Sequence, residues 1–120
     1  MQALNVTIVQ ADLHWHDAAR NRDSFAEAIG NIDEQTDLIV LPEMYTTGFS
    51  MDAPSLAEAP DGESVRCLRE QETSNGAAIC GSLIIVVDVR DYNRFFCVQP
   101  DVETVHYDYR DLFRLADEHL

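Results

Sequence analysis

The spacing of apolar residues near the start of the chain changes from the two-residue period of a strand to the longer period of a helix. Side chains from Leu4 to Gln10 alternate between two faces, which predicts a β-strand. A helix is predicted after Asp17, a residue type that caps helix starts. Apolar side chains at helical spacing follow that cap: Ala18, Phe25, Ile29 and Ile32. The short apolar run from Asp37 to Leu41 ends at Pro42, as is typical of a buried parallel strand.

The middle of the chain is marked by residues that interrupt regular structure. Thr46 to Pro60 contains glycine and proline and is predicted to be a loop. A second helix is predicted to begin near Asp61 or Gly62. Gly76 lies where a C-terminal cap glycine is expected, so the helix is predicted to end there.

Three further strands are predicted after that helix. Ala77–Val87 is long and apolar, and Gly81 within it would allow another backbone to approach closely. The polar segment Asp88–Asp91 separates it from Tyr92–Val98, which predicts an antiparallel hairpin. A turn at residues 99–101 leads to a last strand, Val102–Tyr107. The order β-α-β-α-β-β-β predicts an α/β fold in a single domain or part of one.

Charge and composition exclude several classes of function. The chain has 120 residues, 22 of them acidic and 8 basic, and a net charge of −14. Such a surface repels phosphate backbones, so nucleic-acid binding is not expected. We expect no membrane association either, because no apolar run is long enough to span a bilayer. We find no secretory signal and expect a cytoplasmic protein.

All eight basic residues are arginines, so the chain contains no lysine. Chance omission is improbable, because lysine is normally a common residue. Adaptation to high salt and deliberate removal of lysine both explain the absence. Chemistry that needs a lysine ammonium, including the phosphate-binding P-loop, is closed to this chain.

The cysteine and histidine residues are weak candidates for a metal, disulfide or catalytic site. Cys67, Cys80 and Cys97 are odd in number and form no C-x-x-C pair, so neither a disulfide framework nor a zinc site is predicted. Cys80 and Cys97 lie in apolar runs and are interpreted as buried, reduced thiols. His14 and His16 could form a metal pair but have no third ligand nearby, so a loop in which Trp15 covers the core is favoured.

Glu43 is the most informative polar residue. It lies just past the carboxyl end of the predicted buried strand, where ligand sites form in α/β sheets. A partly buried carboxylate there could act as a general base. The alternative is a glutamate that merely ends the strand in water, and the residue statistics favour this alternative.

Five blocks of sequence, in order along the whole chain, resemble the amino-terminal half of a nitrilase-superfamily, or carbon–nitrogen hydrolase, domain. The nearest likeness is to omega-amidases that hydrolyse 2-oxoglutaramate. The blocks are Leu4–Asp12, Asp37–Met51, Cys80–Leu83, Tyr92–Phe95 and His106–His119. The resemblance implies half of a four-layer α-β-β-α sandwich, ending before the block that carries the family's nucleophilic cysteine.

The resemblance also implies a Glu-Lys-Cys triad. Glu43 matches the family glutamate, the general base. Tyr109 occupies the position of the family lysine, and Asp111 replaces a family histidine. Because tyrosine is neutral at pH 7, it cannot supply the fixed positive charge of lysine, and Tyr107 and Tyr109 are interpreted as aromatic packing. Arg110 is expected to face away from Glu43. None of the three cysteines lies in a matching context.

The function implied for a complete relative is hydrolysis of the amide of small ω-amido 2-oxo acids, with no metal or organic cofactor and as a homo-oligomer. This chain lacks the lysine and the cysteine and is expected to be inactive. A non-catalytic module that pairs with another chain is the competing hypothesis. A complete flavodoxin-like binding domain is disfavoured, because no phosphate-binding turn is present.

Overall fold

In a computed structural model that describes residues 3–48, 50 and 53–109, the chain forms one mixed five-stranded sheet with its two long helices packed against one face. Strands lie in the order β1-β2-β3-β4-β5; the first three are parallel, and β4 and β5 are each antiparallel to the strand before. The α/β class is confirmed. The elements are β1 Val6–Ile8, α1 Ala18–Gly30, β2 Leu38–Val40, α2 Ala53–Leu56, α3 Glu63–Asn75, β3 Ala78–Val87, β4 Arg90–Val98 and β5 Val105–Asp108.

The two long helices begin and end where the capping residues predict. The Asp17 carboxylate accepts a hydrogen bond from the Arg20 backbone N–H at 3.1 Å, which satisfies a free donor at the start of α1. Gly76 ends α3 with φ of +73°, a left-handed conformation that glycine adopts without strain. Both helices cover the sheet face that carries Ile39 and Ile79. The core between them is apolar and includes Phe25, Ile29, Val65, Leu68, Leu83 and Ile85.

Two local predictions were wrong. The predicted loop at residues 46–60 contains α2, because Pro54 lies in the first turn, where a helix needs no backbone N–H from it. The β3–β4 turn has two residues instead of four. Asp88 and Val89 both have positive φ, as in the tight primed turns of hairpins, so β4 begins at Arg90. Strands β1 and β5 are shorter than predicted.

The sheet face opposite α1 and α3 is only partly covered by the described residues, and we call it the open face. Register places one row of side chains across all five strands on this face: Ile8, Val40, Cys80, Cys97 and Val105. Ile8 and Val105 at the ends of the row are exposed, and so is Tyr107 in the neighbouring row. A small cluster around Met44 and Ile84, with Leu56 of α2, covers only part of it. Within the described ranges, no helix has the length and apolar character to cross a membrane.

The open face should make this chain associate with itself. Contiguous exposed apolar surface drives association, so the chain should form oligomers and bind a hydrophobic dye such as ANS. Val105→Lys, which places a charge in the open face, should lower both signals in analytical ultracentrifugation and dye fluorescence. Val89→Lys is the matched control, since Val89 is 97% exposed at the hairpin turn and away from that row. A monodisperse monomer without dye binding contradicts this expectation.

Candidate active site

Glu43 begins a tight turn that directly follows β2. Met44, the next residue, has φ of +51°, an uncommon conformation for a non-glycine residue. Ser82 of β3 holds this turn: its hydroxyl accepts a hydrogen bond from Met44 N–H at 2.9 Å, and its carbonyl accepts one from Tyr45 N–H at 3.1 Å. Backbone strain of this kind persists only where surrounding contacts enforce it, and it concentrates at functional sites. The position of Glu43 is therefore fixed by the backbone on both sides.

Tyr45 anchors the same turn to the helical layer. Its ring is buried against Phe25, edge to face at 5.7 Å between ring centres, and its hydroxyl donates to the Ser64 carbonyl at 2.7 Å. Gly81 makes room for this side chain, and not for another backbone as the sequence predicts: a Cβ there would lie 3.2 Å from Leu41 Cβ and 3.4 Å from the Tyr45 ring. Tyr45 thus anchors the turn that carries Glu43 to the apolar core.

Buried Asn21 on α1 fixes the end of the turn. Its Nδ2 donates to the Thr46 carbonyl at 2.6 Å and to the His14 carbonyl at 2.8 Å. Its Oδ1 accepts from His14 N–H at 2.8 Å. No local sequence pattern marks Asn21, because its partners are loop backbone groups distant in sequence.

Asn93 of β4 connects the two candidate catalytic positions. Its Nδ2 donates to Glu43 Oε1 at 3.0 Å, and its backbone carbonyl accepts from Tyr109 N–H at 3.0 Å. The side chain is 0% exposed, and its Oδ1 is the one buried side-chain oxygen or nitrogen among the described residues that lacks a hydrogen-bond partner. Buried polar groups are normally paired, so this unpaired acceptor beside a carboxylate is a position where a further donor could bind.

Tyr109 lies close enough to Glu43 for the two to interact electrostatically. Burial raises the pKa of Tyr109, and the Glu43 carboxylate raises it further. The phenol is consequently neutral at physiological pH. Its ring meets Tyr107 edge to face at 5.8 Å, which agrees with the interpretation as aromatic packing, although both side chains are exposed at 38% and 57%.

A nearby guanidinium cannot replace the missing cation at position 109. Arg94 follows Asn93 in β4 and therefore points to the opposite face of the sheet. There it forms a bidentate ion pair with Asp108, at 2.7 and 3.1 Å. The predictions for Arg110 and Asp111 concern positions outside the described residues.

Glu43 itself is exposed. Its carboxylate is nevertheless engaged by Asn93, so Glu43 does not simply end the strand in water, and its role as a general base stays a prediction. Asn93 orients the carboxylate by donating to Oε1, which leaves the other oxygen available to accept a proton, and the neutral Tyr109 phenol lies beside it.

The cysteines are not prepared as nucleophiles. Burial raises the pKa of Cys67, Cys80 and Cys97, which lowers the reactive thiolate fraction of each. Cys80 is buried as predicted, whereas Cys97 is only half-buried, although both lie in the same row on the open face. All three are free thiols.

The histidine segment serves to join two loops. His16 Nε2 lies 2.8 Å from the Ser50 hydroxyl, within hydrogen-bond distance, and the Trp15 ring stacks on the His16 ring at 4.3 Å. Trp15 does not cover the core as predicted: it lies against Gly48 and is 62% exposed. Among residues 3–48, 50 and 53–109, no three potential ligand side chains cluster as a metal would need.

The Tyr45 anchor should become weaker in alkali. Burial raises the pKa of Tyr45 well above its ordinary value, so its neutral form stabilises the fold. That contribution is complete below about pH 10 and is lost as the pH rises through the higher folded-state pKa. Tyr45→Phe should cost about 1 kcal/mol at pH 7 through the lost hydrogen bond and should reduce the alkaline loss of far-UV circular dichroism. Tyr107→Phe, an exposed control, should leave both unchanged; equal behaviour of the two variants contradicts the role of Tyr45.

Comparison with known proteins places this arrangement in a family. The carbon–nitrogen hydrolase family model matches residues 5–119. The chain is 42% identical over 119 residues to the omega-amidase YafV of Yersinia enterocolitica, covering 99% of this chain and 46% of that protein. It is 25% identical over 118 residues to a 2-oxoglutaramate amidase of Bacillus subtilis, covering 96% of this chain and 46% of that one. The chain thus spans about half the length of these relatives.

A solved structure of a related protein has a similar fold. The fold superposes with a TM-score of 0.89 on a CN-hydrolase superfamily protein from Xanthomonas campestris, whose crystal structure holds an arsenic adduct in the active site. The two are 39% identical, and the match covers 99% of this chain and 45% of that one.

Proposed function

Because the chain belongs to the carbon–nitrogen hydrolase family, we propose that it provides the general-base half of an amidase acting on small ω-amides such as 2-oxoglutaramate. The observation that carries the proposal is Glu43, held by Asn93 at 3.0 Å and adjoining Tyr109 at the position of the family lysine. The names of the relatives, omega-amidase and 2-oxoglutaramate amidase, support the substrate class.

In this proposal Glu43 accepts the proton of a cysteine thiol that a further segment supplies. The thiolate attacks the amide carbon, a thioester forms, and ammonia leaves after taking up a proton; water then hydrolyses the thioester. Asn93 keeps one oxygen of Glu43 engaged, which leaves the other free to take the proton. Position 109 faces the developing oxyanion, where relatives of this family use a lysine.

With Tyr109 at the position of the family lysine, the site of this chain should stabilise the oxyanion only weakly. A neutral phenol can donate one hydrogen bond to an oxyanion but brings no charge. The competing function is therefore a non-catalytic module that pairs with another chain through the open face. Tyr109 and the exposed Ile8 and Val105 favour this alternative. The two hypotheses are distinguished by joining the chain to a segment that carries a nucleophilic cysteine and measuring whether an amide is then hydrolysed.

The remaining properties follow from the same proposal. The reaction uses protein side chains alone, so we place no metal or organic cofactor in the site. We place the complete protein in the cytoplasm, as a homo-oligomer, in agreement with the free thiols of the three cysteines.

A fusion protein tests the reaction class. This chain, carrying Tyr109→Lys, is joined to the part of the Yersinia enterocolitica omega-amidase that follows its match to the chain. The fusion should release ammonia from 2-oxoglutaramate and much less from a simple nitrile or from a peptide with N-terminal asparagine. Preference for the nitrile or the peptide contradicts the proposed substrate class. A folded fusion that is inactive on every substrate supports the non-catalytic alternative.

A further inference from the structure

Two cysteines that are far apart in sequence face each other on neighbouring strands. Register pairs Cys80 of β3 directly with Cys97 of β4 in an antiparallel ladder. Both belong to the row that crosses the open face, so their side chains point the same way. The electrostatic effect of Cys97 on Cys80 is consistent with this proximity.

The backbone shows which kind of antiparallel pair this is. The Cys80 carbonyl accepts a hydrogen bond from Leu41 N–H at 2.8 Å, so it points toward β2 and away from β4. Ser82, the next residue of the same parity, likewise turns its carbonyl to Tyr45 N–H. Cys80 and Cys97 are therefore a non-hydrogen-bonded pair, the type in which opposite side chains lie closer together.

This spacing suits a covalent bridge. The Cα atoms of such pairs are about 4.5 Å apart, within the range of roughly 4.4–6.8 Å that a disulfide needs. Hairpin strands of 9 and 10 residues with a continuous register hold both sulfurs in place. Cys67, by contrast, lies on α3, in the layer that covers the opposite face of the sheet.

We propose that Cys80 and Cys97 are a dithiol modification site that closes to a cross-strand disulfide by exchange with a low-molecular-weight disulfide. The thiolate of the more accessible Cys97 attacks one sulfur of the small disulfide, whose S–S bond breaks and releases one small thiolate. The Cys80 thiolate then attacks the Cys97 sulfur and expels the second. Two protein thiols are oxidised, one small disulfide is reduced to two thiols, and the two protons pass to the leaving thiolates.

The site lies beside the candidate active site. Cys80 is two residues from Ser82, which holds the Glu43 turn, and it contributes to the raised pKa of Tyr109. The proposal does not depend on amidase activity, because it concerns the register of β3 and β4 alone.

Thiol counting with peptide mapping tests the proposal. The whole chain is incubated with oxidised glutathione at low protein concentration, its remaining thiols are titrated, and its peptides are mapped by mass spectrometry without reduction. The expected result is loss of two of three thiols, a Cys80–Cys97 peptide and no covalent dimer. Dithiothreitol should restore all three.

Single-cysteine variants separate the pair from nonspecific oxidation. Cys67→Ser should still lose two thiols and form the same linked peptide. Cys80→Ser and Cys97→Ser should stop at a mixed disulfide with glutathione. Three results would each overturn the proposal: linkages that include Cys67, a predominance of covalent dimers, or three free thiols after incubation. Linkages to Cys67 or covalent dimers are the results expected if β3 and β4 do not have the described register.

Discussion

The 120-residue chain alone should release ammonia from 2-oxoglutaramate no faster than buffer. The described residues offer no activated nucleophile, since burial raises the pKa of all three thiols. Removing the nucleophile of a catalytic triad costs about a millionfold in kcat. Losing one oxyanion donor adds on the order of 100- to 1000-fold. The measurement is coupled detection of ammonia over hours, at high chain concentration.

The cysteine variants control this prediction. If ammonia is released above background, the variant Cys67→Ser, Cys80→Ser or Cys97→Ser that abolishes it identifies an unexpected nucleophile. If turnover is present and disappears in Glu43→Gln, the expected inactivity is contradicted, but the role of Glu43 as the base is supported.

Restoring a cation at position 109 should have a large effect on activity. In the fusion with the Yersinia segment, Tyr109→Lys should raise kcat by about 100- to 1000-fold over the fusion that keeps Tyr109. The reason is electrostatic, because a positive charge stabilises an oxyanion in a water-excluded site far better than a neutral phenol. The measurement is steady-state ammonia release with 2-oxoglutaramate.

Tyr107→Lys is the matched control, since Tyr107 is exposed on β5 and its ring contacts that of Tyr109. It adds the same charge two residues earlier and should leave kcat near that of the Tyr109 fusion. If Tyr107→Lys activates as strongly as Tyr109→Lys, position 109 has no special place in the site.

The parts of the fold that follow from local pattern were predictable. Asp17, Gly76 and the apolar run before Pro42 place α1, the end of α3 and β2, because each acts through its own neighbours. The hairpin turn was misjudged because Val89 is a β-branched residue at positive φ, a conformation that sequence preferences argue against. Tertiary pairing of β3 with β4 determines that turn.

The site was predictable only where a motif marks it. Glu43 and Tyr109 follow from sequence blocks, but Asn93, which joins them, depends on the register between β4 and β5 and on a contact 50 residues away in sequence. The exposure of Glu43 agrees with the residue statistics, since carboxylates are mostly exposed.

One substitution tests whether Glu43 is the general base of a site shared with position 109. In the fusion that carries Tyr109→Lys, Glu43→Gln keeps an acceptor oxygen for Asn93 but removes the base, and should lower kcat on 2-oxoglutaramate by about 100- to 10,000-fold. Glu27→Gln, an exposed glutamate on α1, should change nothing. An unchanged rate of ammonia release in the Glu43→Gln fusion would contradict the account.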